Sequence, residues 1–237
     1  MATAHFTIHS GLAAFLPRER QGSPFACECA RAATLKNAIE ALGIPHTEVA
    51  AVRVNAAPAT LDRTVRDGDA IELSGWSDTG LVQPSVTLEF VADAHLGGLA
   101  RYLRMLGFDT VHDNAIADAD IRRMASDEHR IVLTRDRELL KCRDILVGCY
   151  VRAIKSEAQL REVAARFGLT EHARAFTRCL RCNIVLENVA KEQVAARLPE
   201  SVARDQQNFY HCRGCGRVYW PGSHYRRMSA ALGRMME

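Results

Sequence analysis

Val86-Thr87-Leu88-Glu89-Phe90-Val91-Ala92, followed by Leu96, Leu99, Leu103 and Leu106, is the stretch that decides the fold. The first seven residues form a mostly apolar run of strand length, and the leucines recur at helical spacing, so a strand runs into a helix. The alternation continues downstream. Thr110-Val111-His112 reads as a second strand and Ala117 to Glu128 as a helix with Ile121, Met124 and Ala125 inward. Arg130-Ile131-Val132-Leu133-Thr134 reads as a third strand, Ile145 to Val151 as a fourth, and Glu157 to Phe167 as another helix. Alternating elements of this kind predict an α/β unit, a parallel sheet covered on both faces.

An open parallel sheet binds ligands beyond the carboxyl ends of its strands. Asp93, Asp113 and Asp136 follow the first three strands, and Asp118 stands just before Ala119-Asp120-Ile121. Asp118 either caps that helix or joins the acids. A single Asp after a strand is a common turn residue, and Asp113 before Asn114 has that character. Convergence on one sheet edge is what points to function. Carboxylates brought together repel one another unless a cation lies among them, and hard oxygen ligands select Mg²⁺ or Mn²⁺. Asp93-Ala94-His95 has histidine where a phosphatase of the Asp-x-Asp type needs its second carboxylate.

Upstream, Phe6-Thr7-Ile8, Ser23 to Cys27, Val49 to Val54 and Ala70 to Leu73 read as short strands around a single helix, Leu35 to Leu42. Thr34 is its expected N-cap and Gly43 its stop. Residues 1–80 are therefore expected to form an α+β unit, followed by the linker-like Thr79-Gly80-Leu81-Val82-Gln83-Pro84. The element order, with Asp67-Gly68-Asp69 before the last strand, resembles the β-grasp, ubiquitin-like family. Sulfur carriers and ubiquitin act through a free Gly-Gly tail, whereas here the strand continues as Ser74-Gly75-Trp76-Ser77-Asp78. The expected role is recognition of a protein partner, not conjugation. Cys27 and Cys29 read as small apolar strand residues.

Downstream, Cys179-x-x-Cys182 and Cys212-x-x-Cys215 form two knuckles, each able to give two thiolates to one tetrahedral ion. The 29 residues between them include an expected helix, Ala190 to Leu198, and Gly214 and Gly216 suit a tight knuckle turn. Four thiolates leave no open position, so the expected Zn²⁺ is structural. No basic, apolar leader is seen at Met1-Ala2-Thr3-Ala4-His5-Phe6, and no run of about 20 apolar residues spans a bilayer. The expectation is a soluble cytoplasmic chain with reduced thiols. From Arg178 onward there are ten Lys/Arg against five Asp/Glu, a charge of +5 that leaves −2 for the rest of a chain totalling +3. Phe209, Tyr210, Tyr219, Trp220 and Tyr225 interleave with Arg213, Arg217, Arg226 and Arg227. Such aromatics either stack bases of single-stranded RNA or fill a small core.

Three segments, Asp93-Ala94-His95-Leu96-Gly97-Gly98-Leu99-Ala100-Arg101-Tyr102-Leu103-Arg104-Met105-Leu106-Gly107, Leu133-Thr134-Arg135-Asp136-Arg137-Glu138-Leu139-Leu140 and Gly222-Ser223-His224-Tyr225, resemble the Mut-seven C-terminal RNase family. The resemblance implies a PIN-like nuclease domain at 86–175 and a zinc ribbon with a basic tail at 176–237. It implies a metal-dependent ribonuclease with Asp93, Asp118 and Asp136 as acids that ligate Mg²⁺ or Mn²⁺, and Thr134 at the hydroxyl position before the last acid. Asp144 and Asp120 are candidates for a fourth acid. Arg101, Arg135 and Arg137 either hold RNA phosphates or form structural ion pairs, and Arg217, Tyr225 and Arg226 are the expected RNA contacts of the tail. A chain lacking residues 1–80 is expected to retain detectable metal-dependent cleavage while its substrate choice or solubility changes. The alternative function is a non-catalytic RNA-binding or adaptor protein using the ribbon and the β-grasp unit.

Overall fold

Apolar side chains alternate between the two faces of a strand, so a sheet buried on both sides needs strands without a polar face. Phe90–Ala92 (β6) and Ile131–Thr134 (β8) meet that requirement, being buried at every position. The computed structural model describes residues 1–84, 87–175, 177–223 and 225–226. Val86, His224 and Arg227 lie outside the described residues.

β6 and β8 are the inner strands of a four-stranded parallel sheet, with Thr110–Val111 (β7) beside β6 and Gly148–Tyr150 (β9) beside β8. Phe90, Ala92, Ile131 and Leu133 pack on one face against the helices Gly97–Met105 (α2) and Ser156–Phe167 (α5), through Leu99, Leu103, Leu160 and Val163. Val91 and Val132 pack on the other, against Ile121 and Met124 of Asp118–Asp127 (α3) and Leu139 and Leu140 of Arg137–Leu140 (α4). The fourth strand is shorter than expected. Ile145 turns under the sheet into the second cluster, and strand pairing begins at Gly148. A Cβ there would lie 2.6 Å from Leu140 and 3.3 Å from the Val132 carbonyl, so only glycine lets β9 approach.

The N-terminal strands Ala2–Ile8 (β1), Phe25–Cys29 (β2), Val49–Val54 (β3), Ala57–Pro58 (β4) and Ala70–Gly75 (β5) form a mixed sheet in the order β2-β1-β5-β3-β4 around the helix Leu35–Ala41 (α1). The Thr34 hydroxyl accepts the Asn37 amide at 3.2 Å, and Gly43 has φ +89°, as their residue types predict. The final sheet is antiparallel: Glu187–Val189 (β10), Phe209–His211 (β11) and Val218–Tyr219 (β12). The helix expected over Ala190 to Leu198 is broken into Lys191–Val194 and a 3₁₀ turn, Ala195–Arg197. Pro199 disfavours helical backbone at Leu198, and a second helix, Glu200–Asp205, starts after it.

Both edges of the parallel sheet are closed by the flanking units. Glu48, 2% exposed, accepts the Tyr150 amide of β9 at 2.9 Å and the Arg166 guanidinium at 2.6 Å. Arg166, 8% exposed, also donates to Gln83 Oε1 and to the Thr47 and Gly148 carbonyls. On the opposite edge Asn183 Oδ1 accepts the Thr110 amide at 3.1 Å, and Asp109 gathers Arg130, Arg178 and Asn183. Residues 1–80 are thus not readily detachable. Their removal strands the Arg166 cation and opens β9, so a chain beginning at residue 81 is expected to aggregate, as light scattering would show. Glu48→Ala in the full chain should cost about 3–5 kcal/mol in denaturant unfolding, the range for breaking a buried pair; a loss under 1 kcal/mol would contradict the role of this seam.

The turn before β5 yields a pH prediction. Asp69 is held down to about 2, chiefly by the Arg63 guanidinium, with the Arg66 amide and Asn55 adding to it against the opposing effect of burial. A folded value below the unfolded one means that the stabilisation is full above the ordinary carboxyl value and is lost as pH falls toward 2. Asp69→Asn should therefore destabilise by about 2 kcal/mol at pH 7 and by little at pH 2. Equal destabilisation at both pH values would contradict it.

Candidate functional site

Strand order reverses between β6 and β8, because the chain runs from β6 out to β7 and then back to β8 on the other side. That switch point opens a crevice beyond the carboxyl ends of both strands. Asp93 leaves β6 there and Asp136 leaves β8, while Asp118 arrives on the first turn of α3. All three line one open cleft of about 700 Å³.

Asp93 is the anchored member, 9% exposed. Its carboxylate accepts the Thr134 hydroxyl at 2.6 Å, the His95 amide at 2.8 Å and the Arg135 amide at 3.4 Å. Burial alone would push this carboxyl up, but those hydrogen bonds outweigh it and hold the group below its ordinary value, so it stays ionised. Thr134, fully buried at the end of β8, also accepts the Asp136 amide at 2.9 Å, so one hydroxyl fixes two acids. Asp136 caps α4, with Oδ1 taking the Glu138 and Leu139 amides. Asp118 caps nothing: the N-cap of α3 is Ala117, which leaves the exposed Asp118 carboxylate facing the cleft.

Other acids named from the sequence lie elsewhere. Asp113 accepts the Ala115 amide and forms a turn, Asp144 is engaged by Arg122 at 2.9 and 3.2 Å, and Asp120 lies 3.9 Å from Arg123. None of them lines the cleft. Arg135 does line it, with its guanidinium on the Ala153 carbonyl at 2.9 Å, and Arg101 is exposed on α2. Arg137 is not among the residues lining the cleft: it stacks at 4.9 Å from the Phe15 ring and 5.6 Å from that of Tyr150, and donates to the Ala14 and Phe15 carbonyls. These contacts seat it in the seam with the N-terminal unit. His95, Ile154 and Gln159 also line the cleft but were not singled out as site residues. Ile154 is 83% exposed, a placement that its sequence neighbours Ala153 and Lys155 do not reveal.

The four cysteines come together as their spacing predicts. Their sulfurs all lie within 4.8 Å of one another, the only such group of metal-capable side chains among the described residues. Cys179 and Cys215 are 3.5 Å apart, and Cys182 and Cys212 are 3.4 Å apart. Tetrahedral zinc with bonds of about 2.3 Å needs sulfurs about 3.8 Å apart, so the quartet fits the ion with a small expansion. Tyr219 brings its hydroxyl to 3.1 Å from Cys179. Burial raises the Cys179 thiol, but the Tyr219 bond and the knuckle amides hold it down to about 6, whereas burial and neighbouring thiols push Cys182 up to about 12. Arg104 donates to the Leu180 and Arg181 carbonyls, which ties the first knuckle to α2. Phe209 is fully buried, Tyr210 and Tyr219 pack against the quartet, and Arg213 pairs with Glu187. Arg217 and Arg226 are exposed, and Tyr225 lines a separate cavity with Trp220.

Protein purified without chelator should carry about one Zn²⁺ per chain. Cys179→Ser or Cys212→Ser should abolish it and lower the melting temperature of the C-terminal sheet. Full zinc content in either variant would place the ion elsewhere.

The model of the Mut7-C RNAse domain matches residues 88–232 and that of the Mut7-C ubiquitin domain matches residues 1–76. No curated protein and no solved structure matches the chain. With more than half of its length under one family model and the ubiquitin-like domain in front of it, the chain belongs to the Mut7-C RNAse domain family.

Proposed function

We propose that this protein is a divalent-metal-dependent ribonuclease that hydrolyses RNA phosphodiester bonds, with Asp93, Asp118 and Asp136 as its metal-holding catalytic acids. The observation that carries the reading is that three carboxylates from separate elements line one open cleft, with the Thr134 hydroxyl bonded to the Asp93 carboxylate and to the Asp136 backbone amide. Carboxylate oxygens on a solvent-accessible wall are a donor set that suits Mg²⁺ or Mn²⁺. When bound, such an ion supplies Lewis-acid activation of water and neutralises charge on the attacked phosphate.

The chain's own residues do the rest. Thr134 holds Asp93 in its ionised, oriented form, and the α4 amides orient Asp136 through one oxygen. Arg135 sits in the cleft beside them, placed to bind a flanking phosphate, and Arg101 extends that cationic surface along α2. No protein nucleophile is required. We read the chain as three units, 1–80, 86–175 and 176–237, the second PIN-like and the third a zinc ribbon whose Zn²⁺ is structural. Arg217, Tyr225 and Arg226 of this basic segment are its RNA contacts, and the ubiquitin-like domain offers a surface for a protein partner. Eight free cysteines suit a reducing compartment, so we assign the protein to the cytoplasm. Among the described residues no helix is long and apolar enough to cross a membrane.

Purified protein incubated with labelled tRNA, rRNA and single-stranded RNA should cleave with added Mn²⁺ and not without it. Asp118→Asn is the decisive variant, because this carboxylate caps nothing and is exposed. Cleavage should fall by orders of magnitude, while the loss of helix-dipole stabilisation costs about 1 kcal/mol or less. Wild-type cleavage by that variant at saturating Mn²⁺ would remove Asp118 from the site. Binding without cleavage by the wild type would leave the non-catalytic RNA-binding alternative.

A further inference from the structure

Between the end of α2 and the antiparallel sheet lies a cavity of about 270 Å³ that neither the acid cleft nor the cysteine quartet uses. Met105, Leu180 and Leu186 give it apolar walls, and Tyr219, Trp220 and Tyr225 give it aromatic ones. The Tyr219 hydroxyl is committed to Cys179, so its ring carbons are what it offers the cavity. Gly222 accounts for the placement of the indole: its amide donates to the Trp220 carbonyl at 2.8 Å, and a Cβ there would lie 2.8 Å from Trp220 Nε1. The indole therefore rests over bare backbone. Its N–H has no hydrogen-bond partner among the described residues.

We propose that this cavity receives one unpaired nucleobase of the RNA, stacked on Trp220, and so makes the protein selective for RNA with an unpaired nucleotide near the cut. The inference rests on the reading of the chain as acting on RNA. Ring-faced walls match a flat π-system, and each stacked base contributes about 1–3 kcal/mol. Charge favours a nucleotide over an apolar peptide side chain. The segment from Arg178 onward carries +5, and the exposed Arg181 and Arg226 directly adjoin the lining residues Leu180 and Tyr225. They are placed to meet the phosphates on either side of an inserted base.

The position is informative as well. Asp93 lies four residues before α2, and Met105 is the last residue of that nine-residue helix. At 1.5 Å per residue the helix spans about 14 Å, so the cavity and the acid cleft stand at its opposite ends. A base held at Met105 and Trp220 would place the scissile phosphate a few nucleotides along the same strand. A base in an intact duplex cannot enter, because it is paired and stacked.

The test uses full-length, zinc-loaded protein without added Mg²⁺ or Mn²⁺, so that binding is read apart from cleavage. The probe is a short single-stranded oligoribonucleotide with one fluorescent 2-aminopurine, alone or annealed to its complement. The single strand should bind with quenching of the fluorescent base, and the duplex should bind more weakly without it. Trp220→Ala should weaken single-strand binding about 10-fold or more with zinc content unchanged, and Trp220→Phe should restore most of it. Ser223→Trp, which fills the mouth from an exposed lining position, should give the same loss and decides the matter if Trp220→Ala fails to retain zinc. Wild-type affinity and quenching in Ser223→Trp, or in a zinc-loaded Trp220→Ala, would overturn the proposal, as would equal quenching by the duplex. Absence of RNA binding altogether would also overturn it and turn attention to a protein ligand. Base insertion followed by no cleavage on adding Mn²⁺ would sink the nuclease reading alone, and cleavage with unchanged binding in both variants would sink the cavity alone.

Discussion

The buried pair of Glu48 and Arg166, at 2.6 Å, fixes how the two domains meet. Taking two such charges out of water is expensive, and their attraction offsets that cost only if the remaining donors and acceptors are also satisfied. Here they are. Arg166 reaches Gln83, Thr47 and Gly148 as well as Glu48, and Glu48 reaches Tyr150 and Arg152. Because these partners come from both domains and from the segment joining them, the network closes in one relative orientation. The ring of Tyr150, seated by Glu48 through its amide, then lies near Phe15, Arg137 and Arg152. Arg137 is the first residue of α4, whose N-cap is Asp136. One wall of the acid cleft is therefore anchored, through a stacked arginine, to the ubiquitin-like domain.

The other edge meets the same problem with different chemistry. Strand β7 pairs over only two residues, too few to hold an edge by itself, and it is completed by side chains of the first knuckle. Asn183 substitutes for a neighbouring strand at the Thr110 amide, while Asp109 draws Arg130 and Arg178 inward and is held below its ordinary value by them and by Asn183 against the effect of burial. Arg104 extends the arrangement to the Leu180 and Arg181 carbonyls. Any ion that orders the four sulfurs thus also orders the backbone beside β7. A small parallel sheet with two open edges is prone to pair with other chains, and here each edge is covered by a domain or segment with its own core.

This arrangement sets the limit on what could be read from the sequence. Features fixed within a few residues were legible: the apolar strands β6 and β8, the Thr34 cap, the two knuckles, and the acids that follow consecutive strands. Features fixed by partners far away in the chain were not. Glu48 lies 118 positions from Arg166, and nothing in His46-Thr47-Glu48 marks a buried carboxylate. Arg137 beside Asp136 offers its charge to a phosphate by position, and nothing near it in the chain announces its stacking on Phe15 of the other domain. Asp118 shows the reverse. Its residue type suggests a cap, yet the helix starts one residue earlier than that reading needs, and the carboxylate is left for the cleft. The strand ends depend on Gly148 and on the short β7, which are matters of fit between elements and not of propensity.

Charge divides the labour between the two halves of the RNase domain. The acid cleft presents Asp93, Asp118 and Asp136 against Arg135, so without a cation it repels a phosphodiester. On the proposed ribonuclease reading, attraction of the polyanion must come from elsewhere, and the segment from Arg178 onward, at +5 against −2 for the remainder, is where the sequence concentrates positive charge. Phosphate contacts made there under that reading would release counterions, so the affinity they provide would weaken steeply as salt rises. The proposed cation binding at the acids would depend instead on close ligation, which screening affects less. The two contributions thus differ in salt dependence, and the helix α2 that separates the cleft from the basic segment keeps the attractive and repulsive surfaces apart while joining them rigidly.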